Sequence, residues 1–214
     1  MRSASELFQE LTQLGNVVSL EPLVDHLDLN RELEPFASDW KPYNPAKGNF
    51  HRWGLAVTSL DGGLSGDPDL TSLREYNKIH GTQLDEMSFC ELTPVYKACP
   101  SMHALVDPFL PFLGRSHFLK FGTGGFFPYH RDGVGATKSQ TFRIFVPLYL
   151  RSARDFVFLL GNDRIHLERS RAYFINTYME HAVISLDEDS VHLVLNVRIC
   201  AESVATLQKM LFSF

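Results

Sequence analysis

The tripeptide His130-Arg131-Asp132 sets an imidazole and a carboxylate two positions apart. On an extended strand, residues i and i+2 share a face, so His130 and Asp132 reach one point while Arg131 turns away. Such a pair supplies two of the three protein ligands of the two-histidine, one-carboxylate face that binds non-heme iron(II) and leaves coordination positions open. His181, 51 positions downstream, opens the segment HAVISL after the turn-like Asn176-Thr177-Tyr178 and is the best third ligand. On the motif alone a plainer use stays open: a histidine and an aspartate making surface or capping hydrogen bonds.

Three other uses of similar residues weigh less. His26-Leu27-Asp28 repeats the spacing, but in a stretch expected to be helical or irregular, and on a helix i and i+2 do not share a face. His166-Leu167-Glu168 lies on an expected strand, yet His181 follows it by only 15 positions and no better placed histidine is downstream. A kinase catalytic loop also reads H-R-D, but needs a downstream Asn, a D-F-G and an upstream Gly-rich loop. Here Gly133-Val134-Gly135-Ala136-Thr137 follows, and those partners are missing.

The elements that must position these residues begin at His117. From there, short β-branched and aromatic segments follow one another: HFLKFG, GFFPYHRD, TFRIFVPLYL, DFVFLLG, DRIHLE, RAYFIN, HAVISL and VHLVLNVRI. Gly122-Thr123-Gly124-Gly125, Asp132-Gly133 and Gly161-Asn162-Asp163 punctuate them as turns. Evenly spaced short strands predict a mainly β protein, a double-stranded β-helix (jelly roll, cupin-like) of roughly eight strands with flanking helices. Upstream, apolar Leu7, Leu11 and Leu14 predict a helix over Ser3–Leu14, and a second is expected within 20–36. His51–Leu60 reads as a strand ended by Asp61-Gly62-Gly63, and 62–69 as a loop. Short helices are expected at Leu73–His80 and at Ser101–Leu113, the latter interrupted by Pro108 and Pro111, with a closing helix at Glu202–Phe212. The expectation is a single domain, with 1–114 as helical and mixed support, 115–200 as the β-helix core and 201–214 as the closing helix.

Composition narrows the function classes. At 214 residues, 44% apolar and 21% charged, with 17 Phe, the chain supports one ring-rich core. A net charge of −5 without a basic run gives no footing for nucleic acid. Cys90, Cys99 and Cys200 form neither a disulfide framework nor a CxxC pair, which points to a reducing compartment. The N-terminus lacks a signal-peptide core and no run of 18 apolar residues occurs, so the expected location is the cytoplasm, with no membrane partner.

Three stretches, PYHRDG (128–133), TFRIFVPLYL (141–150) and RAYFINTYMEHAVISL (171–186) followed by VHLVLNV (191–197), stand in an order that resembles the aspartyl/asparaginyl/proline β-hydroxylase family of Fe(II)/2-oxoglutarate oxygenases. The resemblance covers about 115–200; earlier, only Trp53-Gly54-Leu55 and Asp61-Gly62 are reminiscent. It implies Fe(II) on His130, Asp132 and His181, 2-oxoglutarate and O2 as co-substrates, and hydroxylation of an amino-acid-like substrate, free or peptidyl. A carboxylate at 132, where related halogenases carry a small residue, favours hydroxylation. The chain departs from the family where an arginine meets the distal carboxylate of 2-oxoglutarate: Ser190 stands there. Arg143 is the favoured substitute, with His192, Arg198 and Lys120 as others. Tyr129, Asn176, Tyr178, Arg52 and Trp53 are candidate substrate contacts. Two further readings remain, a cupin-like metal or small-molecule binding module, and a metal-dependent oxygenase or isomerase that does not use 2-oxoglutarate.

Overall fold

The computed structural model describes residues 2–21, 23–48, 50–132, 140–149, 156–186 and 190–211. Gly133 of one expected turn, Leu150 and Asp155 at expected strand ends, and Phe212 of the closing helix lie outside these residues. The N-terminal half runs α1 (Ala4–Leu14), β1 (Val17–Leu20), α2 (His26–Leu33), β2 (Lys41–Pro42), β3 (Arg52–Ala56), β4 (Thr58–Ser59), α3 (Leu73–His80), β5 (Glu91–Leu92), α4 (Pro94–Ala98) and α5 (His103–Val106). The remainder runs β6 (His117–Phe121), β7 (Phe126–His130), β8 (Thr141–Tyr149), β9 (Phe156–Leu160), β10 (Asp163–Ile165), β11 (Ala172–Ile175), β12 (His181–Ser185), β13 (Ser190–Arg198) and α6 (Ala201–Lys209).

Strands β6 to β13 build the jelly roll. A seven-stranded sheet has the order β1-β11-β8-β13-β6-β3-β2, and a four-stranded sheet the order β10-β9-β12-β7. From β6 to β13 the chain changes sheet at every step except the β9–β10 hairpin, where Gly161 at φ 59° takes the left-handed conformation a two-residue turn requires. Pairing is antiparallel throughout. The result is a double-stranded β-helix, the cupin fold.

Period-two alternation explains why the large sheet is apolar on both faces. On β8, Phe142, Ile144, Val146 and Leu148 point outward into a core shared with Leu7, Leu11, Leu29, Leu105 and Leu207 from the helices. Phe145, with Leu119, Phe121 and Val194 from neighbouring strands, points inward against Phe156, Phe158 and Val183 of the small sheet. The same inward parity places Arg143, His117, Asn196 and Arg52 between the sheets. Helix α1 starts where expected, because Ser3 and Glu6 close a capping box.

Several details differ from the sequence expectation. Val17–Leu20 forms an edge strand on β11 that four residues were too few to announce. The strand expected over His51–Leu60 divides: β3 joins β6 in the large sheet, while Thr58–Ser59 leaves to pair with β5. After α5 the chain continues as a 3-10 run, Asp107–Phe112, since Pro108 and Pro111 donate no backbone hydrogen bond. Among the described residues, no helix is long and apolar enough to cross a membrane.

His192 shows how dry the interior becomes at one end. Its ring is fully buried, with centroids 4.1 Å from Phe156, 4.9 Å from Phe145 and 5.7 Å from Phe121, and only Ser190 Oγ, 3.2 Å from Nε2, as polar company. Burial pushes its pKa down to about 3. The unfolded chain therefore takes up a proton on this residue below about pH 6.5 that the folded chain refuses, so stability is full above that pH and falls as pH drops toward 3. Denaturant unfolding of His192→Leu between pH 7 and 4 is expected to lose a pH slope of up to about 1.4 kcal/mol per unit relative to the parent chain; equal slopes would contradict a buried neutral imidazole.

Candidate metal centre

β7 and β12 are neighbours in the small sheet, and their pairing register sets His130 directly opposite His181. A register shift between His181 and Val183 places this pair where regular pairing is interrupted, at the His181 end of β12. The two imidazole centroids lie 4.2 Å apart. His130 Nδ1 sits 2.8 Å from the Pro128 carbonyl oxygen, and His181 Nδ1 3.0 Å from that of Met179. A carbonyl oxygen only accepts, so in both rings Nδ1 carries a proton and Nε2 is the nitrogen left to face a metal. The same local device, a histidine bonding the carbonyl two residues back, therefore tunes both rings.

Asp132 follows the end of β7, and its amide donates to the Thr177 carbonyl at 3.0 Å, which ties it to the turn before β12. Its Oδ1 lies 3.8 Å from His130 Nε2. One ligand atom from each of His130, Asp132 and His181 lies within 4.8 Å of the other two. His181 is buried, and the other two side chains are about one-third and one-quarter exposed. The group is thus enclosed on one side and open on the other.

The electrostatics keep the carboxylate ionised and the His181 ring uncharged. Burial alone would raise the Asp132 carboxyl; Arg143 beside it, the two imidazoles and a hydrogen bond from the Thr177 side chain outweigh this and hold it below the usual carboxylate range. Burial lowers His181 to about 4, so its ring is neutral at physiological pH. Arg143 NH1 lies 2.5 Å from Asp132 Oδ2, yet that buried oxygen receives no aligned hydrogen bond. A carboxylate grouped with two imidazole nitrogens is the donor set a divalent transition metal completes.

The triad opens on a cavity of about 380 Å³ between the sheets, which Arg52 and Arg143 also line. Arg143 is tied to the site itself, with Nε donating to Asn196 Oδ1 at 3.2 Å and NH1 on Asp132. The other sequence candidates lie away from this cavity. Lys120 and Trp53 face each other across β6 and β3 on the outer side of the sheet, with Lys120 Nζ 5.5 Å from the Trp53 ring. Arg198 is exposed and reaches the Pro111 carbonyl, while His192 is sealed in the apolar end described above. Tyr129 is exposed, Asn176 is bound to Asn16, and Tyr178 packs on Phe8 and donates to the Thr141 carbonyl.

Several residues at the site were not singled out from sequence. Glu86 takes two hydrogen bonds from Arg115, at 2.9 and 2.8 Å, and Asn196 joins this pair to Arg143. Strand parity with His192 was the available signal for Asn196. Nothing local marked Glu86, which lies in a 3-10 turn, or Arg115, which precedes β6. His117 faces the cavity, with Nδ1 buried and unpartnered. The rival pair His166 and Glu168 lies exposed beyond the end of β10, and His26 stands on α2 bound to Ser170, so neither approaches a metal group among the described residues.

These features define a cupin-fold protein with a two-histidine, one-aspartate candidate metal centre. No known protein family matches the chain's sequence, and no curated protein does. Among solved structures, KdgF from Halomonas sp. overlaps 44% of this chain and 74% of its own, at 17% identity and a TM-score of 0.32. A predicted oxalate decarboxylase from Thermotoga maritima overlaps 44% of this chain and 73% of its own, at 14% identity and 0.33. The DMSP lyase DddQ from Ruegeria pomeroyi DSS-3 overlaps 40% of this chain and 38% of its own, at 20% identity and 0.31. Overlaps this short and dissimilar say nothing of activity.

Calorimetric titration with cobalt(II) under anaerobic conditions is expected to give one site in the parent chain. It should give none in His130→Ala or His181→Ala, with Arg131→Ala close to the parent. Retained binding in either histidine variant would contradict the assignment.

Proposed function

We propose that this protein is an Fe(II)/2-oxoglutarate-dependent hydroxylase of an amino-acid-like substrate, related to the aspartyl/asparaginyl/proline β-hydroxylases. The observation that carries the reading is the convergence of two imidazoles and one carboxylate at the edge of the cavity between the sheets. This donor set leaves room for exogenous ligands, as non-heme iron(II) oxygenases require. Iron(II) bound there would couple oxidative decarboxylation of 2-oxoglutarate, with O2, to hydroxylation of a substrate C–H, giving succinate, CO2 and the alcohol.

The chain's own residues have separable tasks. His130 and His181 offer Nε2, which the hydrogen bonds from Nδ1 orient and make more basic. Asp132 offers the negative charge, and Arg143 and Thr177 keep it ionised and aimed. Phe127 lies 5.7 Å from the His130 ring and Phe158 runs parallel to His181, so each imidazole has an apolar ring beside it. The cavity is large enough for a small substrate together with a co-substrate, in the range typical of ligand sites.

A second reading, a metal-dependent cupin enzyme or binding protein that does not use 2-oxoglutarate, is favoured by one observation. Ser190 is buried in hydrogen bonds to Ser185 and His192 and offers no cation. The two readings part in one experiment. The hydroxylase is expected to develop weak visible charge-transfer absorbance with Fe(II) and 2-oxoglutarate under anaerobic conditions. In air it should release succinate with some member of an amino-acid panel, and His181→Ala should lose both signals. Absence of both signals from protein that binds iron would favour the second reading.

A further inference from the structure

Among the described residues, Arg52 is a buried cavity arginine that no carboxylate answers, whereas Arg74 and Arg131 are exposed to solvent. Arg52 stands on β3 with 5% of its surface exposed, and no carboxylate pairs with it among the described residues. Its Nε is buried without a hydrogen-bond partner. What surrounds the guanidinium is aromatic: its carbon lies 3.8 Å from the Phe127 ring centroid, 4.8 Å from Phe50 and 6.0 Å from Tyr43. Ring faces offset part of the desolvation cost of a cation, but supply no in-plane acceptor for its N–H groups. Burial lowers the Arg52 pKa to about 10, which still leaves it charged at physiological pH. A guanidinium this buried, with no acceptor for its Nε and no carboxylate beside it among the described residues, is costly to the fold unless a ligand in the cavity brings the anion.

The setting repeats the message. Arg52, Arg74, Arg115, Arg131 and Arg143 line the cavity against two carboxylates, Glu86 and Asp132. Both acids are already engaged, Glu86 by Arg115 and Asp132 by Arg143. A chain of net charge −5 thus encloses a positive cavity. Arg52 also has a fixed relation to the metal group: Phe127, on which it stacks, lies 5.7 Å from the His130 ring, so one phenyl ring separates guanidinium from ligand. Across the large sheet, Arg52 pairs with Phe121, and Phe121 with Ser190. The guanidinium therefore enters the row of position 190 from two strands away.

From this geometry we infer that Arg52 is the carboxylate anchor of the cavity, taking the end of an aliphatic carboxylate whose other end approaches His130, Asp132 and His181. The planar fork of arginine matches a carboxylate in a two-point contact, and Phe127 and Phe50 hold that fork in place. This inference rests on the metal-centre reading for the far end of the ligand, but the anchor itself needs neither metal nor turnover. The carboxylate belongs either to a 2-oxoacid co-substrate or to the substrate, and the test distinguishes them.

The test titrates glutarate, 2-oxoglutarate and an amino-acid panel into EDTA-treated full-length protein, comparing the parent chain with Arg52→Met and Arg52→Lys by calorimetry. Loss of a charge-assisted contact is expected to weaken binding about 10- to 100-fold in Arg52→Met, and less in Arg52→Lys. Weakened glutarate and 2-oxoglutarate binding assigns the anchor to the co-substrate, and weakening confined to amino acids assigns it to the substrate; both support the inference. Thermal unfolding supplies the control. Arg52→Met is expected to unfold at or above the parent temperature, because an unanswered charge has been removed. Unchanged affinity for every ligand, a parent chain that binds none of them, or lowered thermal stability with unchanged affinity overturns the inference. Arg52-dependent binding without succinate release would sink the hydroxylase and leave the anchor standing. Succinate release with an unaltered 2-oxoglutarate KM and unaltered substrate affinity in Arg52→Met would do the reverse.

Discussion

Everything in the interior depends on the register that sets His130 against His181 across β7 and β12. A slip of one residue would turn one ring to the other face of the sheet and leave a single imidazole at the cavity. The backbone then completes what the register begins, because each ring spends Nδ1 on a carbonyl of its own strand or turn and aims Nε2 at the same point. Asp132 enters from the chain just past β7, anchored to Thr177, so the carboxylate comes with the strand rather than by chance.

The price of this arrangement is a polar cluster in the interior, and the fold meets it group by group. Glu86 neutralises Arg115, Arg143 leans on Asp132 and Asn196, and His117 and His192 stay uncharged because burial disfavours their protonation. Asn196 links the Glu86–Arg115 pair to Arg143, while aromatic rings surround His192. Among the described residues, buried Arg52 has rings for company and no carboxylate, which sets it apart from Arg115 and Arg143. The small sheet carries His130 and His181 and the large sheet carries Arg52, so the metal group and the anchor face each other from the two walls of the jelly roll.

Much of this was legible in the residues. Alternating β-branched and aromatic segments after His117 marked the jelly roll; the H-x-D spacing marked the candidate pair, although β7 ends at His130 and Asp132 reaches the group from the turn beyond it and not by strand parity. The turn Asn176-Thr177-Tyr178 before His181 marked the third ligand, although its value lay elsewhere: Thr177 holds Asp132, while Asn176 and Tyr178 hold the α1 side of the fold. Pairing across strands was not legible. No spacing rule relates Glu86 to Arg115, and Arg52 and Ser190 share a row only because β3 joins the sheet beside β6. The short strands β1 and β2 escaped notice because their stability comes from the neighbours they pair with, not from their own few residues.

A crystal structure of the protein grown anaerobically with iron(II) tests the central claim most directly. The account predicts one ion bound by Nε2 of His130, Nε2 of His181 and an oxygen of Asp132, with the remaining positions facing the cavity. An ion bound elsewhere, bound through Nδ1, or held without Asp132 would contradict it.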